Sequence, residues 1–399
     1  MNAGQLDSLA LSCRTVTRRT LLLGAASSPW VSASPLQTLA VPDGRVLTVG
    51  LGAPFKNLAA ALTAARDGDR IDVLPGTYQG QVAEVKGRLH LRGLGAGAVF
   101  QAPGRLAADT GILVVHGDVT VENMGFSGAR RAHGNGAGIR FMQGRLEVRN
   151  CHFSDNEMGL LGSDHPQAEL RVLDSVFQSA PRHRGQLHHL LYASTMARLE
   201  VQGCRFEGGW RGHLIKSRAR ENVIRYNLLR DGVGGEASYE LELGEGGHNL
   251  VLGNVIVQAP GTQNRSIVAV GYDAKPNLTH SLVFAHNTVV NQAWWPARFL
   301  RVWDRNMPQA QVLKAAHNLF VGRGDVNLPR SFDASGNVQL SLDQLEDPST
   351  DRYGPRQGCI AVPASPAAFD ARWLPQRQFM APVGTQARAA HACAGAFEP

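Results

Sequence analysis

Lys216 and Arg218 stand two positions apart, and so do Glu240 and Glu242. In an extended strand such pairs point the same way, because side chains alternate between faces with a period of two. Two cations and two carboxylates on one rigid surface can do three things. They can carry out β-elimination on a uronate-containing glycan: a cation offsets the substrate carboxylate, a base removes the proton at C5, and an acid or water protonates the leaving oxygen. Lys216 beside Arg218 is the candidate for that base, acting as a free amine. They can hydrolyse a glycoside, with Glu240 and Glu242 as acid and base and their separation setting inversion or retention. Or they can form salt-bridge ladders on a solvated face, each pair worth under about 1 kcal/mol.

These residues meet only if short strands stack. Seven segments superpose: AGIRFMQ (137–143), MGLLGSD (158–164), HHLLYAS (188–194), GHLIKSR (212–218), SYELELG (238–244), SIVAVGY (266–272) and RFLRVWD (298–304). Their even positions are mostly apolar or small and are expected to face inward, Arg140 and Arg301 among them. The odd positions are expected to face solvent, carrying His188, Tyr192, Ser194, Lys216, Arg218, Glu240, Glu242, Tyr272 and Asp304, with Lys216 next to Glu242 on adjacent rungs. A slip by one residue would send these charges into the core, at several kcal/mol per ion. His189, His213 and Tyr239 share an inward column and read as hydrogen-bonded buried groups. A local register shift would make His213 the next acid or base candidate. The substrate-binding candidates are thus His188, Tyr192, His213, Tyr239, Tyr272 and Asp304, with Trp294 and Trp295 as further stacking platforms. No H-x-x-x-H or C-x-x-C pairing occurs, so no metal site is assigned.

The stacking itself is written in a repeat. LEVRNCHF (146–153), LRVLDSVF (170–177), LEVQGCRF (199–206), NVIRYNLL (222–229), NLVLGNVI (249–256), SLVFAHNTV (281–289) and QVLKAAHNLF (311–320) share one pattern of alternating apolar residues leading to a small polar residue. That polar column reads Asn123, Cys151, Ser175, Cys204, Asn227, Asn254, Asn287 and Asn318, at intervals of 23 to 33 residues. A period of this length marks a solenoid. Equivalent strands of successive coils then pair in parallel about 4.8 Å apart, and side-chain amides hydrogen-bond along the stack. Cys151 and Cys204 take a structural place in that ladder. The fold class is all-β: a single-stranded right-handed parallel β-helix with a short capping helix, spanning residues 45–330.

Residues 55–80, FKNLAAALTAARDGDRIDVLPGTYQG, read as an amphipathic helix, a Gly-Asp turn, a buried strand and a Pro-Gly turn. This stretch resembles the N-terminal cap of the pectin-lyase-like β-helix superfamily, in which the helix plugs the open end of the coils. KSRARENVIRYN (216–227) resembles the Lys-Ser…Asn…Asn stretch of the chondroitinase B and alginate lyase family of polysaccharide lyases. The resemblance implies that Lys216 is the base. The family's acidic calcium ligands have no counterpart in GGWRGHLIK, and ASYELELGEGG replaces its Arg-His-Gly strand. Calcium is therefore implied by the resemblance alone, with no ligands assigned, and no other cofactor is indicated.

Composition bounds the rest. A chain of 399 residues, 43% hydrophobic and 18% charged, buries a sizeable core. Its net charge of +7 favours polyanionic partners. No basic run of five or more residues occurs, so nucleic acid is not expected and an acidic polysaccharide is. Thr17-Arg18-Arg19-Thr20, the apolar run Leu21 to Ala26 and Val31-Ser32-Ala33 look like a bacterial twin-arginine signal over residues 1–33, implying export to the periplasm or medium. No segment has the ~20 apolar residues of a membrane span. Cys359 and Cys393 are candidates to bridge the tail. Residues 331–399 are turn-rich, with DASGN, EDPSTD, GPRQG and VPASP, and read as an irregular tail along the coils. The expected state is a monomer. The enzyme reading stays beside a second one, an exported β-helix that binds glycan without turning it over.

Overall fold

A computed structural model describes residues 36–40, 43–107, 111–182, 187–276, 278–326, 328–362, 370–388 and 393–398. The signal segment expected over residues 1–33 lies outside the described residues.

Successive coils lay strand upon strand in parallel. One parallel sheet of 11 strands runs from Gly76–Gln79 to Val338–Leu340, and the other coil strands join in an array of 19. Like stacks on like inside the coil. Phe100, Phe126, Phe153, Phe177 and Phe206 occupy one interior column with neighbouring ring centroids 4.4–6.1 Å apart. The column continues through Leu229, Ile256, Val289 and Phe320. Each rung buries an apolar side chain that its own coil could not cover, which is why the repeat, rather than any single strand, is the folding unit.

The polar column is a ladder of amides. Asn227, Asn254, Asn287 and Asn318 each donate from Nδ2 to the Oδ1 of the next rung at 2.9–3.1 Å, ending on Asn337. Each also donates to a main-chain carbonyl of the rung before, so these fully buried amides are satisfied on both sides. The residue just before each rung takes positive φ, as at Tyr226 (56°) and His286 (51°). Asn123 belongs to that turning position and not to the ladder: its φ is 54°, and Asn150 (φ 47°) bonds its side chain at 3.2 Å. Asparagine is common in both places because it tolerates the left-handed conformation. Replacing Asn254 by leucine orphans the Asn227 main-chain N–H and the Ile224 carbonyl, which Asn254 holds at 3.1 and 2.8 Å. The expected loss is roughly 1–3 kcal/mol per orphaned group, read as a lower urea midpoint at unchanged slope.

Cys151 and Cys204 occupy the same ladder, receiving Ser175 Oγ and Asn227 Oδ1 at their main-chain N–H groups at 3.1 and 2.9 Å. Burial pushes the Cys151 thiol up to about 12, and the Cys204 thiol upward for the same reason. Since the thiolate is the reactive form, iodoacetamide at pH 8 is expected to leave both unmodified until urea unfolds the chain. Rapid labelling of the native protein would contradict this placement.

The first coil is plugged by the helix Leu58–Ala64, whose N-cap Asn57 accepts the Ala60 N–H at 2.8 Å and which buries Leu58 and Ala61. Along the side of the later coils, the segments after Val338–Leu340 pack Leu345, Tyr353, Phe379 and Ala396 on the outward apolar side chains Leu228, Val255, Val257, Val290, Leu319 and Val321. A disulfide joins Cys359 to Cys393 there. No helix among the described residues is long and apolar enough to cross a membrane.

Candidate functional site

The chain turns a corner just before each of the short strands Leu191–Ala193, Ile215–Ser217 and Leu241–Leu243. At that corner two successive side chains both point inward. Leu190 with Leu191, Leu214 with Ile215, and Glu240 with Leu241 are all buried, as are Ile267 with Val268 and Phe299 with Leu300. Strict alternation holds only after the corner, and this decides which groups share a surface.

Beyond the corner, one outward column reads Arg140, Leu161, Tyr192, Lys216, Glu242, Ala269 and Arg301 on paired rungs. Lys216 lies next to Glu242 on adjacent rungs, with Nζ to Oε2 at 3.5 Å. Below it, Nζ sits 5.2 Å from the Tyr192 ring centroid, within cation–π range. Arg218 emerges one pleat further on and bonds Asp273 at 3.1 Å. Arg140 and Arg301 also face outward, contrary to the even-position expectation. The central three segments align as read, but the outer ones are displaced by one residue because their corners come one position earlier.

His213 and Tyr239, expected inside, lie on the same side as Lys216, because the corner reverses the faces before it. His213 Nε2 is 2.7 Å from Glu242 Oε2. Its Nδ1 accepts the Tyr239 N–H at 3.3 Å, and His189 Nδ1 accepts the His213 N–H at 2.9 Å. With Nδ1 serving as acceptor, the ring proton of His213 sits on Nε2 and is donated to Glu242. Burial works against the charge of Glu242, but the His213 bond and the nearby Lys216 outweigh it and hold the carboxyl below its ordinary range. His189 is also driven down, well below the ordinary imidazole range, chiefly by burial and then by the cationic surroundings, Lys216 among them.

Two further expectations are corrected. Glu240 is not on the surface: it takes the inner place at the corner, is fully buried, and neither carboxyl oxygen finds a partner. Burial, then the charge of Asp231, pushes its carboxyl well above the usual range. His188 is also fully buried, and its Nδ1 is 2.8 Å from the Pro181 carbonyl. Tyr272 is 58% exposed and meets Trp303 edge-on at 5.4 Å. Asp304 opens a short 3-10 turn, Asp304–Asn306, away from Lys216 and Glu242 in the stack.

The sequence resemblance divides here. Lys216 faces outward, whereas Ser217 and Asn222 are buried and bond each other at 2.6 Å, and Asn222 continues to Asn249 at 2.9 Å. They build the turn that ends the site strand. The donor set does not suit calcium. Of the nearby carboxylates, Glu242 is committed to His213 and Lys216 and Asp273 to Arg218, and no group of three acidic, His or Cys ligands occurs among the described residues. Asp273 and the outward Arg301 were not singled out from the sequence. Aligning segments on the buried doublet, rather than on their ends, would have found Arg301.

No family model matches the chain, and no curated protein sequence does. Among solved structures it is similar to pectate lyase Pel9A, with a TM-score of 0.58 and 15% identity over 89% of this chain and 96% of that one. It also resembles a mutant of the PL6 family alginate lyase AlyGC, at 14% identity and a TM-score of 0.44, covering 78% of this chain and 42% of that one. A pectin methylesterase from Aspergillus niger matches at 14% identity and 0.42, over 60% and 89%. The likeness to Pel9A is one of fold: the chain is a right-handed parallel β-helix.

Proposed function

We propose that this protein is an exported polysaccharide lyase that cleaves a uronate-containing glycan by β-elimination, with Lys216 as base. The observation that carries this is the outward column in which Lys216 projects between Tyr192 and Glu242, one pleat from Arg218. The name of the fold neighbour, a pectate lyase, supports a polyuronate as the substrate class.

In this reading Arg218 offsets the substrate carboxylate and so stabilises the charge that develops beside C5. The free amine of Lys216 takes the C5 proton, the C–H electron pair becomes the C4–C5 double bond, and the C4–O bond breaks. Water supplies the proton to the leaving oxygen, and Lys216 returns its proton to solvent. Glu242 holds the amine in place from the next rung and is itself held by His213 of Lys216's own coil. A hydrolytic carboxylate pair loses its geometry, since Glu240 points into the coil and Glu242 out of it.

A second reading rests on that same Glu242 contact. An amine already paired with a carboxylate suits binding without turnover, and the protein would then be a glycan-binding β-helix. Digestion of alginate, pectate and glycosaminoglycans, followed by the ultraviolet absorbance of unsaturated uronates, separates the two. New absorbance supports the lyase; binding with no absorbance on any substrate supports the binder.

A further inference from the structure

Among the outward cations of the site column, Lys216 is paired with Glu242, and Arg218 is paired with Asp273. Arg301 is placed differently. It continues the Lys216 column through Glu242 and Ala269, three rungs along, which is about 14 Å at the spacing of parallel strands. Among the described residues no carboxylate forms an ion pair with it. Its guanidinium instead lies 4.2 Å from the Trp303 ring centroid, and Trp303 is braced edge-on by exposed Tyr272. Ala269, between Glu242 and Arg301, is fully buried beneath its neighbours and adds no projecting side chain to the column.

We propose that Arg301 recognises the carboxylate of a glycan unit bound three rungs from Lys216, so that the protein grips an extended acidic chain and discriminates against short ones. Stacking on an indole orients the planar fork while leaving its donors unspent, and that fork matches a carboxylate in bidentate fashion. A lysine there would be a point charge without this geometry. The rung spacing of the coil is close to the length of one sugar unit in an extended chain, so successive units track successive rungs. A chain that occupies Lys216 reaches Arg301 only if it extends about three units further. A disaccharide at Lys216 cannot.

This inference rests on the lyase reading for the substrate class, and the test separates the two. Binding of di- and hexauronates is measured by titration calorimetry in the K216A background, which leaves the ligand intact. Adding R301M is expected to weaken hexamer binding roughly tenfold to hundredfold, the value of a charge-assisted hydrogen-bond pair, and to leave dimer binding unchanged. R301K should recover only part of the loss. Hexamer affinity that is the same with and without Arg301, or a dimer that loses as much as the hexamer, overturns the proposal, as does failure of every oligouronate to bind. Arg301-dependent binding with no unsaturated product from the wild-type protein would instead sink the lyase reading alone. Unsaturated product with Arg301-independent binding would leave the lyase standing without this subsite.

Discussion

Replacing Lys216 by alanine is expected to lower the rate of unsaturated-uronate formation by about 10²- to 10⁴-fold, the usual worth of a positioned general base. The fold should survive, because the side chain projects from the sheet and its departure leaves Glu242 bonded to His213 at 2.7 Å. Lys216→Arg sharpens the test. It keeps a cation over Tyr192 and beside Glu242, yet a guanidinium stays protonated and cannot accept a proton. If the lysine only neutralises charge, the arginine variant retains most of the activity. If it moves the proton, both variants fall together while their urea midpoints stay near that of the parent. Full activity in Lys216→Ala would remove the base from the column altogether.

The architecture was legible because stacking repeats itself in the sequence. Asn227, Asn254, Asn287 and Asn318 recur at coil spacing, and each must find its neighbour to satisfy a buried amide. No other arrangement makes such a column useful. The site was legible only in part. The pairing of Tyr192, Lys216 and Glu242 follows from alternation once three neighbouring segments are superposed. Glu240, His213 and Arg301 escaped because alternation fails at a corner, where two consecutive side chains face the interior. The doublets Leu190-Leu191, Leu214-Ile215, Ile267-Val268 and Phe299-Leu300 mark that corner in apolar residues. In the Glu240 rung one member of the doublet is acidic, which disguises the mark. The outward column gave no warning of the one-residue displacement either, because Leu161 and Ala269 are apolar and buried like core residues although their register places them in that column.

Glu240→Gln is expected to stabilise the protein by an amount that grows with pH. An isolated carboxylate cannot be kept charged in an apolar interior at acceptable cost, so the group holds its proton instead. Glu240 is fully buried with both oxygens unbonded, and burial followed by the Asp231 charge raises its affinity for a proton far above that of a free side chain. The unfolded chain releases that proton near pH ~4.3, while the native protein retains it. A raised native value means that the stabilisation is complete below the unfolded value and is lost as pH rises towards the native one. Over that window the native state binds one more proton than the unfolded state, and stability falls by about 1.4 kcal/mol per pH unit from this residue. Asp231, pushed up to about 6 by burial despite the N–H groups of Gly209 and Ala237 at 2.6 and 2.8 Å, adds a similar decline between ~3.9 and its native value. Glutamine has no proton to lose, so the variant keeps the Asp231 decline and sheds the Glu240 one. Urea unfolding at pH 5, 6, 7 and 8 should show the variant gaining on the parent as pH rises towards the native value of Glu240, the variant being the more stable at the alkaline end. A constant offset across that range would mean that Glu240 is ionised in the native protein, and hence that a cation or water reaches it inside the coil.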